Sequence, residues 1–248
     1  MRLTILAENF TRSPYIVPEY GLSMHVATPD ASILIDTAQG IGLFNNARTM
    51  GIDLAGIDML ALSHGHFDHA DGVASLLRFH GPMPVWAHPA VEAPHCRFVN
   101  GRKYFIGCHL SRAAVDLHPA TGKTEISRRV WAVEVPASRR DPQFAQNGAH
   151  LVLDGSDGLV PDLFEDEISF VVEGEKGLSV LLGCAHAGVV NILEEVSGLF
   201  GTRSFAYVVG GMHMADQDEP FVERVTGTLA GRFKVDSWRP CHCTGFHA

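Results

Sequence analysis

No apolar stretch in this 248-residue chain approaches the roughly 20 residues a membrane helix needs, which argues against a bilayer span. Met1-Arg2 runs directly into Leu3-Thr4-Ile5-Leu6-Ala7, too short for a signal peptide's apolar region, and reads as a first strand. Positive charge is scarce. Nineteen Lys and Arg stand against 28 Asp and Glu, a formal charge of −9, which argues against a broad nucleic-acid or anionic-membrane surface. A local basic pocket from Arg139-Arg140, Arg128-Arg129 and Arg102-Lys103 is the alternative to ordinary solvated charges, which is the favoured reading. The five cysteines are odd in number, scattered and without a C-x-x-C pair, so a disulfide framework is disfavoured and a reducing cytoplasm is the expected compartment. Low-complexity tracts and long polar linkers are also missing.

What is present predicts a mixed α/β chain, long enough for one large domain or two small ones, of which a single domain is the favoured reading. Strands are expected over residues 22–28 and 33–36, joined by a turn at Pro29-Asp30. A helix follows over 41–50, stopped by Gly51. A buried strand over 59–63 precedes a helix with Val73, Leu76, Leu77 and His80 at helical spacing, then a strand over 84–87. Between 91 and 141 only 104–106 and 130–135 read as strands. The rest reads as loop, either part of a substrate wall or surface elaboration. Residues 168–173 and 178–182 flank a Gly-Glu-Lys-Gly turn as a hairpin. Val189, Ile192, Leu193, Val196 and Phe200 then share a helix face, and a strand covers 205–209. Asp218-Glu219-Pro220 starts a helix that turns Phe221, Val225, Leu229 and Phe233 to the core, before a last strand over 235–240. Two halves, roughly 1–125 and 126–248, would each contribute a sheet with outer helices.

The chemistry concentrates in His64-Gly65-His66-Phe67-Asp68-His69, directly after an apolar run. Imidazoles and a carboxylate suit borderline divalent metals. His64 and His66 share one face of an extended segment, and a turn brings Asp68 and His69 back toward them, so one loop presents donors to two adjacent cations. Gly183-Cys184-Ala185-His186-Ala187-Gly188 and Cys241-His242-Cys243-Thr244-Gly245 add further candidates.

H-x-H-x-D-H after a buried strand resembles the metal-binding motif of the metallo-β-lactamase superfamily, and the resemblance runs from residues 19–23 to the C-terminus. With Gly-Gly-Met-His at 210–213 and Cys-His-Cys-Thr-Gly, it is similar to the 7,8-dihydropterin-6-methyl-4-(β-D-ribofuranosyl)aminobenzene-5'-phosphate synthase subfamily. The resemblance implies an αββα sandwich. It assigns His64, His66 and His186 to a first metal, and Asp68, His69 and His242 to a second. One or two divalent ions are implied, zinc foremost, with manganese or iron as alternatives. An ion held by three protein donors keeps a place for water and lowers its pKa toward neutrality. Asp68 would also orient the nucleophile. His213 is either a proton donor or substrate contact at the rim, or a partner bonded to a ligand.

Many superfamily hydrolases end the strand corresponding to 178–182 in a bridging aspartate, whereas here Gly183-Cys184 follows. Cys184 reads as a core residue ahead of a thiolate ligand, and Asp154 and Asp157 are weak replacements. Cys241 and Cys243 read as packing residues on opposite sides of the strand end. His88 reads as a packing group or as a partner bonded to a ligand, and His80, His95, His109, His118, His150 and His247 as ordinary. Asn9, Glu19 and Ser23 are candidates for lining the pocket. Subfamily chains commonly run further past the last motif, so a closing helix is either missing or supplied by a partner, and a homo-oligomer is open. The favoured function is a metal-dependent hydrolase of a phosphate-containing or ester-like small molecule. The alternatives are the pterin-forming transferase and a non-catalytic metal-bound scaffold or sensor.

Overall fold

The computed structural model describes residues 1–110, 115–145, 150–156 and 158–248. Asp157, one candidate for the missing carboxylate, lies outside them. Contacts divide the chain into two units, residues 1–119 with 147–166, and residues 120–146 with 167–248.

In the first unit a six-stranded sheet of described residues runs in the order β1 (Arg2–Ala7), β2 (Ser23–Ala27), β3 (Ser32–Ile35), β4 (Met59–Ala61), β5 (Pro84–Ala87), β8 (Asp116–Pro119). The first three strands pair antiparallel and the last four parallel. Ile33, Leu34, Ile35, Leu60 and Ala61 are fully buried, as expected where parallel strands are covered on both faces. Helix α1 (Leu43–Thr49) and helix α3 (Val73–His80) pack Leu43, Ala47, Val73 and Leu76 into a core with Leu34, Leu60, Leu62 and Val85. Gly51, at φ +69°, lets the chain turn away after α1.

The stretch read as mostly loop is instead rich in strands. A second sheet of the first unit runs β12 (Gly158–Pro161), β11 (Leu151–Gly155), β6 (His95–Val99), β7 (Arg102–Phe105), all antiparallel. Its outer strands β7 and β12 are exposed at every position, so the apolar–polar alternation that betrays a half-buried strand is absent.

The second unit is built on a sheet ordered β16 (Lys234–Pro240), β15 (Ser204–Gly210), β14 (Gly177–Leu182), β13 (Ile168–Gly174), β10 (Val130–Glu134), β9 (Lys123–Ser127). β13 and β14 form the expected hairpin, and β14, β15 and β16 are parallel neighbours. Helices α4 (Val189–Phe200) and α5 (Glu219–Arg232) seal its core through Ile192, Leu193, Val196, Phe221, Val225 and Leu229. Asp218 caps α5, its carboxylate accepting from Phe221 N at 2.9 Å. Asp218→Ala is expected to lower stability by about 1 kcal/mol in urea unfolding.

The arginine pairs are dispersed over separate partners. Arg139 pairs with Glu195, Arg129 with Glu173 and Lys103 with Asp154, so they are ordinary solvated charges. Asp154 is thereby occupied by Lys103 on the half-buried strand β11 and is no substitute for the missing bridging carboxylate.

Candidate metal centre

In the first unit the metal-type donors sit where the parallel strands end, the usual place for a ligand site in an α/β sheet. β4 runs out through Leu62 and Ser63 into His64, and a single helical turn, α2 (Phe67–Ala70), carries Asp68 and His69 back. His64, His66, Asp68 and His69 are all buried. The ring centroids of His64 stand 4.6 Å from His66 and 4.2 Å from His69, and His69 Nε2 lies 3.8 Å from Asp68 Oδ2. The motif's four donors are therefore together within this unit.

The protons on these rings are set by two residues the sequence reading overlooked. Asp36, directly after β3 and fully buried, accepts from Ser63 N at 2.7 Å, from Ser63 Oγ at 2.7 Å and from His69 Nδ1 at 2.8 Å. An ionised carboxylate only accepts, so Ser63 gives its single hydroxyl proton to Asp36. Ser63 Oγ then accepts from His64 Nδ1 at 2.9 Å. Both rings carry their proton on Nδ1 and present Nε2 as the lone-pair nitrogen, the form a cation requires. The signal available in sequence was a single acid directly after the apolar run Ile33-Leu34-Ile35, one strand away from the motif.

Gly65 is demanded by close approach. A Cβ there would stand 1.8 Å from Val91 O. Its N–H donates to Asp166 Oδ2 at 2.7 Å, and its carbonyl accepts from Cys108 N at 2.7 Å. Asp166 belongs to a second buried cluster. His95 donates from Nδ1 to Asp162 Oδ2 at 2.6 Å, its Nε2 is 3.3 Å from Asp166 Oδ2, and its ring packs 4.9 Å from that of His66. Burial opposes charge on His95, but the hydrogen bond to Asp162 and the nearby Asp166 carboxylate prevail and raise it to about 10. Burial also works to raise Asp166, yet the His95 cation holds it below the usual carboxylate range. Burial, then the charge of His95, lowers His66 to about 4, keeping it a neutral imidazole. His95, read as ordinary from sequence, is thus the buried cation of this unit.

The second unit presents its donors at the ends of three adjacent parallel strands. His186 follows β14, His213 follows β15 and His242 follows β16. His186 and His213 pack with centroids 4.5 Å apart. Glu167, buried, accepts from His186 N at 2.6 Å and Ala187 N at 2.7 Å and fixes the loop that carries His186. His242 is the first residue of a short 3-10 turn, with Cys243 buried behind it and Cys241 half-buried. Burial works to raise the Cys243 thiol, but its contact with Cys184 and the neighbouring His242 and His213 bring it below its usual value.

The remaining candidates have backbone work. Glu19 accepts from the amides of Gln39, Ile41 and Gly42, Asn9 from Gly21 N, and Ser23 donates to Asp36 O. His88 Nδ1 accepts from Ala90 N, closing a turn.

A sequence profile of the β-lactamase superfamily domain matches residues 31–152, which include the whole of the histidine motif. The structure of Tm1679, a metal-dependent hydrolase of the β-lactamase superfamily, superposes with a TM-score of 0.83 at 26% identity, over 99% of this chain and 89% of that one. The chain is similar to the metallo-β-lactamase superfamily in sequence and in fold. The expected fold class therefore stands. Among curated relatives, the 7,8-dihydropterin-6-methyl-4-(β-D-ribofuranosyl)-aminobenzene-5'-phosphate synthase of Methanocaldococcus jannaschii is 27% identical, covering 100% of this chain and 89% of its own. An uncharacterized protein of the same organism is 26% identical, covering 99% of this chain and 91% of its own. The superfamily's divalent metal fits the residues present. Buried imidazoles with their protons fixed on Nδ1, beside a carboxylate, are a nitrogen–oxygen donor set of the right chemistry.

Proposed function

We propose that this chain is a metal-dependent hydrolase of a phosphate-containing or ester-like small molecule. The observation that supports it most is the buried His64, His66, Asp68, His69 set, whose ring protons Asp36 and Ser63 direct. In this reading His64 and His66 act with His186, and Asp68 and His69 with His242, the allocation the family resemblance implies. A bound divalent ion supplies Lewis acidity and water of lowered pKa. Asp68 orients the attacking water and accepts its proton, while His213, at the exit of β15, returns a proton to the leaving group. Glu167 keeps the His186 loop in place through two amide hydrogen bonds. Similarity to the metal-dependent hydrolase Tm1679 along nearly the whole chain supports the hydrolytic reading. Five scattered cysteines without a C-x-x-C pair suit a reducing cytoplasm, and no helix of the described residues is long and apolar enough to cross a membrane.

The full-length similarity to the M. jannaschii synthase supports a second reading. In it divalent metal held by the same donors would stabilise a departing diphosphate while the arylamine nitrogen is the nucleophile, and no water is consumed.

One experiment separates the two. Metal-stripped protein, reloaded with zinc, manganese or iron, is offered phosphodiesters, thioesters, lactones and a dihydropterin-methyl diphosphate. Each is tested in isotopically labelled water, with and without a ribofuranosyl-aminobenzene phosphate. The hydrolytic reading expects metal-dependent turnover with label in the product. A condensed, unlabelled product favours the synthase reading, and a metal-loaded protein that turns over nothing overturns both. His213→Gln is expected to lower kcat on the responsive substrate by roughly 10²–10⁴-fold, and less for analogues whose leaving group needs no proton.

A further inference from the structure

The second unit carries two thiols beside His242 for which the proposed hydrolysis has no use. Cys184 follows β14 and Cys243 follows His242 in the turn after β16, both buried. The two sulfurs and a ring nitrogen of His242 lie within 4.8 Å of one another. Donors on a single tetrahedral zinc stand about 3.5–3.8 Å apart, given zinc–nitrogen and zinc–sulfur bonds of about 2.0–2.3 Å. A shift of about 1 Å therefore turns this cluster into a coordination sphere.

The approach of these groups is built into the sheet. β14 and β16 are separated by β15, so the loops that follow them meet only over the end of that strand. Gly211 makes the room. A Cβ there would stand 2.5 Å from Cys243 Sγ, 2.5 Å from Gly183 O and 3.3 Å from His242 Cδ2. Ala185 and His242 hold left-handed backbone, φ +58° and +52°, next to the two cysteines, a conformation non-glycine residues adopt at a cost. Plain packing calls for small side chains at 184 and 243. It does not call for two sulfurs and an imidazole drawn into donor range by strained turns.

We propose that Cys184 and Cys243 are thiolate ligands which, with His242, hold a thiophilic divalent cation, zinc in preference to manganese. They stand in for the carboxylate that many superfamily hydrolases carry after this strand. The inference rests on the metal-dependent reading of His242 and names the metal class for it, because sulfur donors discriminate strongly where nitrogen and oxygen donors do not. On binding, each thiol loses its proton to solvent and donates a lone pair to the ion, so two protons leave per cation and no electron is transferred.

The test uses the intact, reduced, metal-free protein. Cobalt(II) is expected to produce thiolate-to-cobalt charge-transfer absorption in the near ultraviolet, and zinc to shield two of the five thiols from a thiol reagent. Manganese is expected to do neither. Cys184→Ser and Cys243→Ser should each weaken the charge-transfer band and together abolish it, with folding checked by circular dichroism. Cys96→Ser, in the first unit, should leave it unchanged. Visible cobalt bands without charge transfer, or zinc that shields no thiol of the wild-type protein, overturn the thiolate assignment and leave the hydrolytic reading intact. A wild-type protein that binds no cobalt overturns both.

Discussion

Asp36→Asn is expected to weaken metal binding 10–100-fold, and activity with it, while leaving the protein folded. The substitution exchanges one acceptor oxygen for an NH₂ at the centre of a network that has no spare acceptor. Oδ2 receives both the Ser63 hydroxyl and the His69 Nδ1 proton. An amide nitrogen there donates to Ser63 Oγ instead and turns the serine proton toward His64 Nδ1. It also faces the His69 N–H with another N–H. Both rings are driven to carry their proton on Nε2, the nitrogen meant for the ion, so one atom's change disables two ligands. The backbone cost is small because Asp36 sits at φ +56°, which asparagine adopts at less cost than most non-glycine residues. Competition against a chromophoric chelator measures the affinity, and near-ultraviolet circular dichroism checks the fold. Unchanged affinity in a folded variant would show that Asp36 is only a structural acceptor.

Local information was legible and relational information was not. The motif at 64–69 could be read because its donors lie within six residues of one another and the strand before it is continuously apolar. Asp36 could not, because its role depends on the parallel register that sets Ile35 of β3 beside Ala61 of β4. His95 was dismissed for the same reason. Its partner Asp162 lies 67 residues away, on a sheet whose exposed outer strands gave no periodic signal. The helices α1, α3, α4 and α5 were found because each buries one regular stripe and ends in a recognisable residue, Gly51 and Asp218 being the plainest. Cys184 and Cys243 were read as core residues. Their burial bears that out, but their convergence with His242 depends on the order of three parallel strands, which no spacing in the sequence encodes.

The largest stability loss is expected from His95→Leu. In the native protein the His95 cation lies between Asp162 and Asp166, and all three are almost fully buried. Leucine fills much of the ring's volume but leaves two carboxylates in the interior without a counter-charge. Breaking a buried ion pair by removing one partner costs about 3–5 kcal/mol, more than a cavity of this size would. Each carboxylate is also anchored to backbone, Asp162 to Phe164 N at 2.8 Å and Asp166 to Gly65 N at 2.7 Å, so neither can swing out to water without breaking another bond. Through Gly65 the damage reaches the loop that carries His64 and His66. Urea unfolding at neutral pH measures the loss, and a cycle with Asp166→Asn separates charge from packing. Because asparagine is uncharged yet still accepts from Gly65 N, His95→Leu with Asp166→Asn should lose less than the two single losses summed. Additive losses would mean that His95 acts as packing volume alone, and a single loss below about 1 kcal/mol would remove the buried cation from any role in the fold.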